Sequence, residues 1–553
     1  MTGPLVVVND LTVRAGDRTL LDGIGFTLDR GERLGLIGES GSGKSLTALS
    51  LMGLLPDQLS AAGSIALDGV DENLVGAQER LLTALRGDDL AMVFQEPMTA
   101  LNPLMKVGRQ VAEVIELHDG GLSRADRREA ALAQLAAVNL PDPPRIARSY
   151  PHELSGGQRQ RVLIAIAMAN RPRVLICDEP STALDVTVQA QILDLIDTTV
   201  REHDTALLLI THDLAVVSGL CERVLVMRDG AILESGPIEQ VFGAPQHPYT
   251  RSLLAASDLS GSTLGGSTPG GSTPAAPPEA GGRAVTPVSN EQAEPLVSVR
   301  GLTRTYRGSR SSLLRRAGPV HALTDASFDI GRGQRFGVVG ESGSGKSTLI
   351  RLLCALDVPT AGSIVVDGQE IVGARERDLR QFRRDVSIVF QDPMGSLDPR
   401  MKVGDVVAEP LDSRAGSGEL VAEILTAVGL EPAMADRYPH QFSGGQRQRI
   451  SIARALITKP KILVADEPVS ALDVSVRAQV LDLLAELVDE YRLTLLFVSH
   501  DLAVVRHVCD VVAVMHRGRI VECGPTEDVY ERPREDYTRT LIASAPKLVL
   551  PNH

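Results

Sequence analysis

The stretches RLGLIGESGSGKSLTALS (33–50) and RFGVVGESGSGKSTLI (335–350) decide the fold. In each, a short apolar run leads into G-x-x-x-x-G-K-S and then into a helix-like segment, the strand–loop–helix context of a phosphate-binding P-loop. Gly41 and Gly43, and Gly343 and Gly345, allow the backbone to wrap an anion so that N–H groups and the helix start face it. Lys44 and Lys346 are placed to neutralise β/γ-phosphate oxygens, and the Ser45 and Ser347 hydroxyls to coordinate magnesium. The nucleotide cradles are therefore expected to comprise Gly38, Ser40, Gly41, Ser42, Gly43, Lys44, Ser45 and Leu46 in one, and Gly340, Ser342, Gly343, Ser344, Gly345, Lys346, Ser347 and Thr348 in the other.

The repetition extends far beyond the loops. VFQEPMTALNPLMKVG (93–108) returns as VFQDPMGSLDPRMKVG (389–404), YPHELSGGQRQR (150–161) as YPHQFSGGQRQR (438–449), and DEPSTALDV (178–186) as DEPVSALDV (466–474). Order is kept throughout, and the displacement settles at 288 residues from the SGGQ block to the histidines of THDLAVV and SHDLAVV. A period of that length is too long for a solenoid and indicates tandem duplicated domains, 1–256 and 296–553. Residues 257–295 are dominated by Gly, Ser, Thr, Pro and Ala, a flexible-linker composition, and a coil of that length spans roughly 35 Å r.m.s.. Apolar runs such as RVLIC and TALLLIT alternate with helix-like segments, which predicts α/β architecture with a largely parallel sheet. Residues 96–153 and 392–441 interrupt that alternation and are expected to be inserted helical subdomains.

Several further residues are placed for chemistry. Asp178 and Asp466 end apolar strands, where a carboxylate can hold magnesium through its water shell, and the adjoining Glu179 and Glu467 are suited to act as general base on the attacking water. His212 and His500 follow the next strands and can reach the γ-phosphate or help position the water or the Glu. Gln95 and Gln391 follow the VF strands, from which an amide can reach magnesium or water. Ser155, Gly156, Gly157 and Gln158, like Ser443, Gly444, Gly445 and Gln446, open helices that present backbone donors and a hydroxyl to an anion. Each half already has one phosphate cradle, so this second helix start makes sense if it completes a site on the other half.

Composition narrows the class. The 553 residues carry 56 Lys plus Arg against 70 Asp plus Glu, a net charge of −14 that argues against nucleic acid as a partner. No uncharged apolar run reaches about 18 residues, so any membrane role is expected to be peripheral. The N-terminus does not read as a secretory signal, which predicts a cytosolic chain. Five scattered cysteines without a C-x-x-C pair are expected to be buried free thiols.

In this order, the P-loop, Gln loop, SGGQ signature, DE pair, ALD loop and His loop resemble the ATP-binding-cassette ATPases, over nearly the whole chain except the linker. The resemblance implies two tandem P-loop ATPase domains, each with a parallel-sheet core, a small antiparallel β subdomain and an inserted helical subdomain. It also implies head-to-tail packing, with ATP and Mg2+ held in one site by Lys44, Glu179 and His212 with Ser443 and Gly445, and in another by Lys346, Glu467 and His500 with Ser155 and Gly157. More narrowly, FQ[ED]PM, YPH-x-[LF]SGGQRQR and HPYT look like ATPase subunits of bacterial peptide and nickel importers, here fused. Such subunits serve two membrane permeases and an extracytoplasmic binding protein from the cytoplasmic face of the membrane. Peptides are the expected substrate, with nickel complexes and glutathione as alternatives. A ribosome-acting twin-cassette ATPase is the rival reading; its relatives use charged helical linkers, unlike the Gly/Ser/Thr/Pro one here, which is nearly free of charge until its end. Two departures stand out. Tyr306 fits the family's adenine-stacking aromatic, whereas the first half offers Arg14 and Ala15, and no cysteine lies between Cys221 and Cys354, so no iron–sulfur cluster is expected.

Overall fold

The computed structural model describes residues 3–119, 121–181, 184–259, 294–306, 310–312, 315–316, 318–413, 416–470, 472–545 and 548. Most of the expected linker lies outside them. The described residues divide into two compact units, drawn from within Met1–Ser262, Leu472–Gln479 and Thr540–His553 and from within Thr263–Ala471 and Val480–Arg539.

In the first unit a six-stranded sheet runs in the spatial order Leu90–Val93, Val174–Asp178, Ala206–Ile210, Arg33–Ile37, Arg223–Arg228, Ala231–Pro237. All pairings are parallel except the last, which is an antiparallel edge. The inner strands are buried on both faces, as the unbroken runs of Leu, Ile and Val require, because helices cover each side. The strand that feeds the P-loop lies between Ala206–Ile210 and Arg223–Arg228. The loop therefore emerges beside the strand that precedes His212 and one strand removed from the one that ends in Asp178, at the carboxyl edge where open α/β sheets bind ligands.

Beside this sheet, Arg18–Leu28, Val6–Ala15 and Leu59–Leu67 form a three-stranded antiparallel sheet. Helices Val107–His118 and Arg124–Ala137 are inserted between Leu90–Val93 and the signature helix Gly156–Ala167. Ser123 caps the second of them through a reciprocal pair with Asp126. The expected helical subdomain is thus present.

The second unit repeats the plan, with strands in the order Val386–Val389, Ile462–Asp466, Thr494–Ser499, Arg335–Val339, Val511–His516, Arg519–Pro525. Its antiparallel sheet has four strands, Gln369–Glu370 being added at the edge. Four of the five cysteines are buried; Cys523 is exposed because its edge strand has one side open, which corrects the expectation that all are buried.

Phe497, fully buried in the middle of Thr494–Ser499, is among the largest enclosed side chains. Phe497→Ala is expected to cost about 3–5 kcal/mol, read as a lowered thermal midpoint in calorimetry of the full chain.

Candidate functional site

The P-loop backbone fits only glycine at its tightest point. A Cβ on Gly38 would lie 2.1 Å from the Met227 carbonyl oxygen, and one on Gly340 would lie 2.2 Å from that of Met515. Gly41 and Gly343 have open space around them but adopt φ of 80° and 78°, the left-handed region that glycine enters without strain. Gly43 and Gly345, also left-handed, stand at the starts of helices Lys44–Leu51 and Lys346–Leu353. Lys44 is buried, and its Nζ donates to the carbonyls of Gly38 (2.7 Å) and Glu39 (2.8 Å); Lys346 does the same to Gly340 (2.6 Å) and Glu341 (3.0 Å). Burial holds the Lys44 ammonium below the usual lysine range, against the pull of Glu179, Asp473 and Asp178. Ser40 N–H, within the first unit, donates to Asp473 Oδ1 at 3.0 Å.

Glu179 and Glu467 follow the last residues of their strands at φ of 47° and 46°, sparsely populated for a residue with a side chain. Each is fixed there by its own N–H, which donates to Ile210 O or Val498 O, both at 2.9 Å. That turn delivers the carboxylate to two partners. Gln95 Nε2 donates to Glu179 Oε2 at 2.8 Å while His212 Nδ1 lies 3.2 Å from Oε1; Gln391 Nε2 donates to Glu467 Oε2 at 3.0 Å, and His500 Nδ1 lies 3.0 Å from the same oxygen. Gln95 and Gln391, read from sequence as magnesium or water ligands, here hold the glutamate. Burial pushes the Glu467 carboxyl up, but the His500 hydrogen bond and the charges of His500 and Lys346 outweigh it and keep the group below the usual range. The Glu467 carboxylate so held is ionised at neutral pH.

Asp178 is buried, bonded to the Ser45 side chain, and raised above the ordinary aspartate range by burial and then by Glu179. Its Oδ1 has no hydrogen-bond partner. Asp466 is pushed up to about 6 by burial and by Glu467, against Lys346 and Arg351.

The signature residues stand outside this cluster and close on themselves. Ser155 accepts from Gln158 N at 3.4 Å while Gln158 Oε1 accepts from Ser155 N at 3.0 Å, and Ser443 with Gln446 forms the same box. Both glutamines thus act first as helix caps. A Cβ on Gly157 would lie 2.6 Å from Val188 Cγ1 of helix Val186–His203, so glycine lets these helices approach.

Tyr306 is the last residue of strand Val297–Tyr306, as Ala15 is of Val6–Ala15, so the two sit at equivalent positions. Tyr306 Oη donates to Asp357 Oδ2 at 2.8 Å, and Arg304, paired with the same carboxylate, lies 4.6 Å from the ring centroid. No sequence motif pointed to Arg304 or Asp357; the contact joins segments 51 residues apart.

A family model described as ABC transporter matches residues 21–182 and 323–470, and another, Oligopeptide/dipeptide transporter, C-terminal region, matches 233–276 and 521–553. The chain belongs to the ABC transporter ATP-binding proteins. Among its relatives, the glutathione import ATP-binding protein GsiA of Pectobacterium atrosepticum is 47% identical over 98% of this chain and 89% of its own. GsiA of Escherichia coli K12 is 46% identical over 95% and 86%. The peptidoglycan transport ATP-binding protein YejF of Agrobacterium fabrum is 44% identical over 98% and 97%. A solved dimeric cassette, MJ0796, in a post-hydrolysis state bound to ADP and Pi, is 30% identical, covers 42% of this chain and 98% of its own, and gives a TM-score of 0.38. The chain is an ATPase and an ATP-binding subunit of this ABC importer family.

In such an ABC ATPase, magnesium supplies Lewis-acid stabilisation of phosphate charge. The residues fit it: a serine hydroxyl beside a buried aspartate with an orphaned oxygen offers hard oxygen donors. Among the described residues no cluster of three or more His, Cys, Asp or Glu forms a metal cage.

Glu179→Gln and Glu467→Gln each remove the carboxylate expected to act as base and leave the cradle. In the double variant, ATP binding should persist while steady-state turnover falls about 10²–10⁴-fold; unchanged turnover would overturn the assignment.

The Asp466 carboxyl binds its proton more tightly folded than unfolded, so its contribution to stability is complete below about pH 4 and is lost as pH rises through about 6. Asp466→Asn in EDTA should therefore raise stability at pH 7.5 by roughly 2–3 kcal/mol, with the difference closing toward pH 4 in thermal scans.

Proposed function

We propose that this chain energises an importer of peptides across the cytoplasmic membrane, hydrolysing ATP at two composite sites formed head to tail between its halves. The observation that carries the reading is the doubled match to the oligopeptide/dipeptide transporter C-terminal region, one after each cassette. The names of the relatives point the same way, since glutathione and peptidoglycan both contain peptide. Composite sites are supported by the presence in each half of one P-loop and one separately capped Ser-Gly-Gly helix start whose donors can receive an anion. Glu179 and Glu467 act as bases on the attacking water, Gln95, Gln391, His212 and His500 orient them, and Lys44 and Lys346 release their loop carbonyls to bind phosphate.

The partners in this reading are two permeases and an extracytoplasmic binding protein, and the chain works peripherally at the cytoplasmic face. Among the described residues no helix is long and apolar enough to cross a membrane. In the second unit an open cavity of about 360 Å3 beside the Gln loop is lined by Leu356, Phe382, Phe390, Glu409, Pro410 and Arg454. Leu356 and Phe390 keep 58% and 37% of their surface exposed, apolar area suited to a permease segment.

Purification of the full chain from detergent-solubilised membranes should recover two permeases. Recovery on ribosomes without a permease would refute the importer reading. Leu356→Glu, at an exposed position, should reduce permease recovery several-fold with ATP binding retained; equal recovery would remove this groove as the docking site.

A further inference from the structure

The C-terminal region of each cassette returns to its own P-loop. Glu234, on the edge strand, accepts from the N–H groups of Gln246 (2.8 Å) and His247 (3.1 Å), and His247 Nδ1 accepts from Tyr249 N at 3.1 Å. These bonds set the start of helix Pro248–Leu259 and drive Tyr249 into the core, where it is 5% exposed. Its Oη accepts the Glu39 N–H at 3.1 Å, and the Arg228 guanidinium lies 4.8 Å from its ring centroid. The second cassette repeats the arrangement: Glu522 accepts from Arg534 N (2.9 Å) and Glu535 N (3.3 Å), and Tyr537 Oη accepts the Glu341 N–H at 3.3 Å. There His516 replaces the arginine, stacked on Tyr537 with centroids 3.9 Å apart and planes 5° from parallel.

Glu39 and Glu341 are therefore held at both ends, with the N–H on a tyrosine of the C-terminal region and the C=O on the P-loop lysine. When the lysine turns to phosphate, its bonds to the loop carbonyls are given up, and the tyrosine bond keeps the turn from Gly38 to Ser40 in place. We propose that Tyr249 and Tyr537 are positioning residues of the two P-loops, which makes the C-terminal region a determinant of ATP affinity. The proposal rests on the reading of Lys44 and Lys346 as phosphate ligands.

Tyr249→Phe and Tyr537→Phe, singly and together in the full chain, remove only the hydroxyl and keep the ring and its stack. Trinitrophenyl-ATP titration, steady-state ATPase kinetics and thermal unfolding read the result. The double variant should raise Kd and KM about three- to tenfold, as loss of one hydrogen bond per site implies, with kcat falling less than about twofold and the thermal midpoint steady. Wild-type Kd and KM, or a parallel fall in kcat and thermal midpoint without a KM change, would overturn the proposal. The Lys44→Ala/Lys346→Ala variant separates the two readings. If it abolishes nucleotide binding while the phenylalanine variant is silent, the tyrosine proposal alone fails; if it binds like wild type, the P-loop reading fails and the proposal with it.

Discussion

Both sites depend on a close approach between the end of the central strand and the carbonyl of the strand beside it. With Gly38 against Met227 O and Gly340 against Met515 O there is room for a hydrogen and nothing larger. That contact fixes where the chain leaves the sheet, hence where the loop wraps and where the lysine helix starts. The residue after each methionine, Arg228 or His516, covers the tyrosine that reaches the loop from the C-terminal helix. One strand therefore supports the P-loop from beneath and, one residue on, the brace against its shoulder.

Around this shared frame the halves differ in a patterned way. The clustered polar groups keep the same partners, with hydrogen-bond lengths that differ by a few tenths of an ångström at most: lysine on two loop carbonyls, glutamate in a left-handed turn, glutamine and histidine on its carboxylate. The surroundings diverge, with Ala15 where Tyr306 stands and Arg228 where His516 stands. Geometry that selects one reaction coordinate tolerates little change, because small misplacements of reacting groups cost rate steeply. Contacts to the base or to a brace act through binding alone and tolerate substitution.

The same distinction governs what the sequence made legible. P-loops, signature helices and strand-end carboxylates were readable because each is a local backbone requirement: glycine where φ is positive, serine where a helix starts, a carboxylate where a strand ends. The Glu was among the partners read for His212, whereas Gln95 was read toward magnesium or water and not toward the carboxylate it meets. Their meeting point is a carboxylate 84 and 33 residues away, aimed by a backbone conformation that no composition rule assigns to glutamate. Tyr249 was visible within HPYT yet silent as to role, since its partner lies 210 residues earlier and only tertiary packing joins them. Ala15 against Tyr306 was legible because the strands repeat residue for residue.

Each of the clustered charged groups sits where, taken alone, it costs stability. Lys44 is desolvated, Asp178 is buried with an orphaned oxygen, and Glu179 occupies a backbone region that side chains avoid. The parallel sheets, buried on both faces by Leu, Ile and Val, supply the surplus that tolerates this. The unmet needs are complementary to one ligand: an ammonium on borrowed carbonyls wants phosphate, and a carboxylate beside a serine hydroxyl wants a hard cation. Bound nucleotide with its metal would answer both needs at once, and a ligand that binds one arrangement of these groups better than another shifts the balance between them by that difference in affinity.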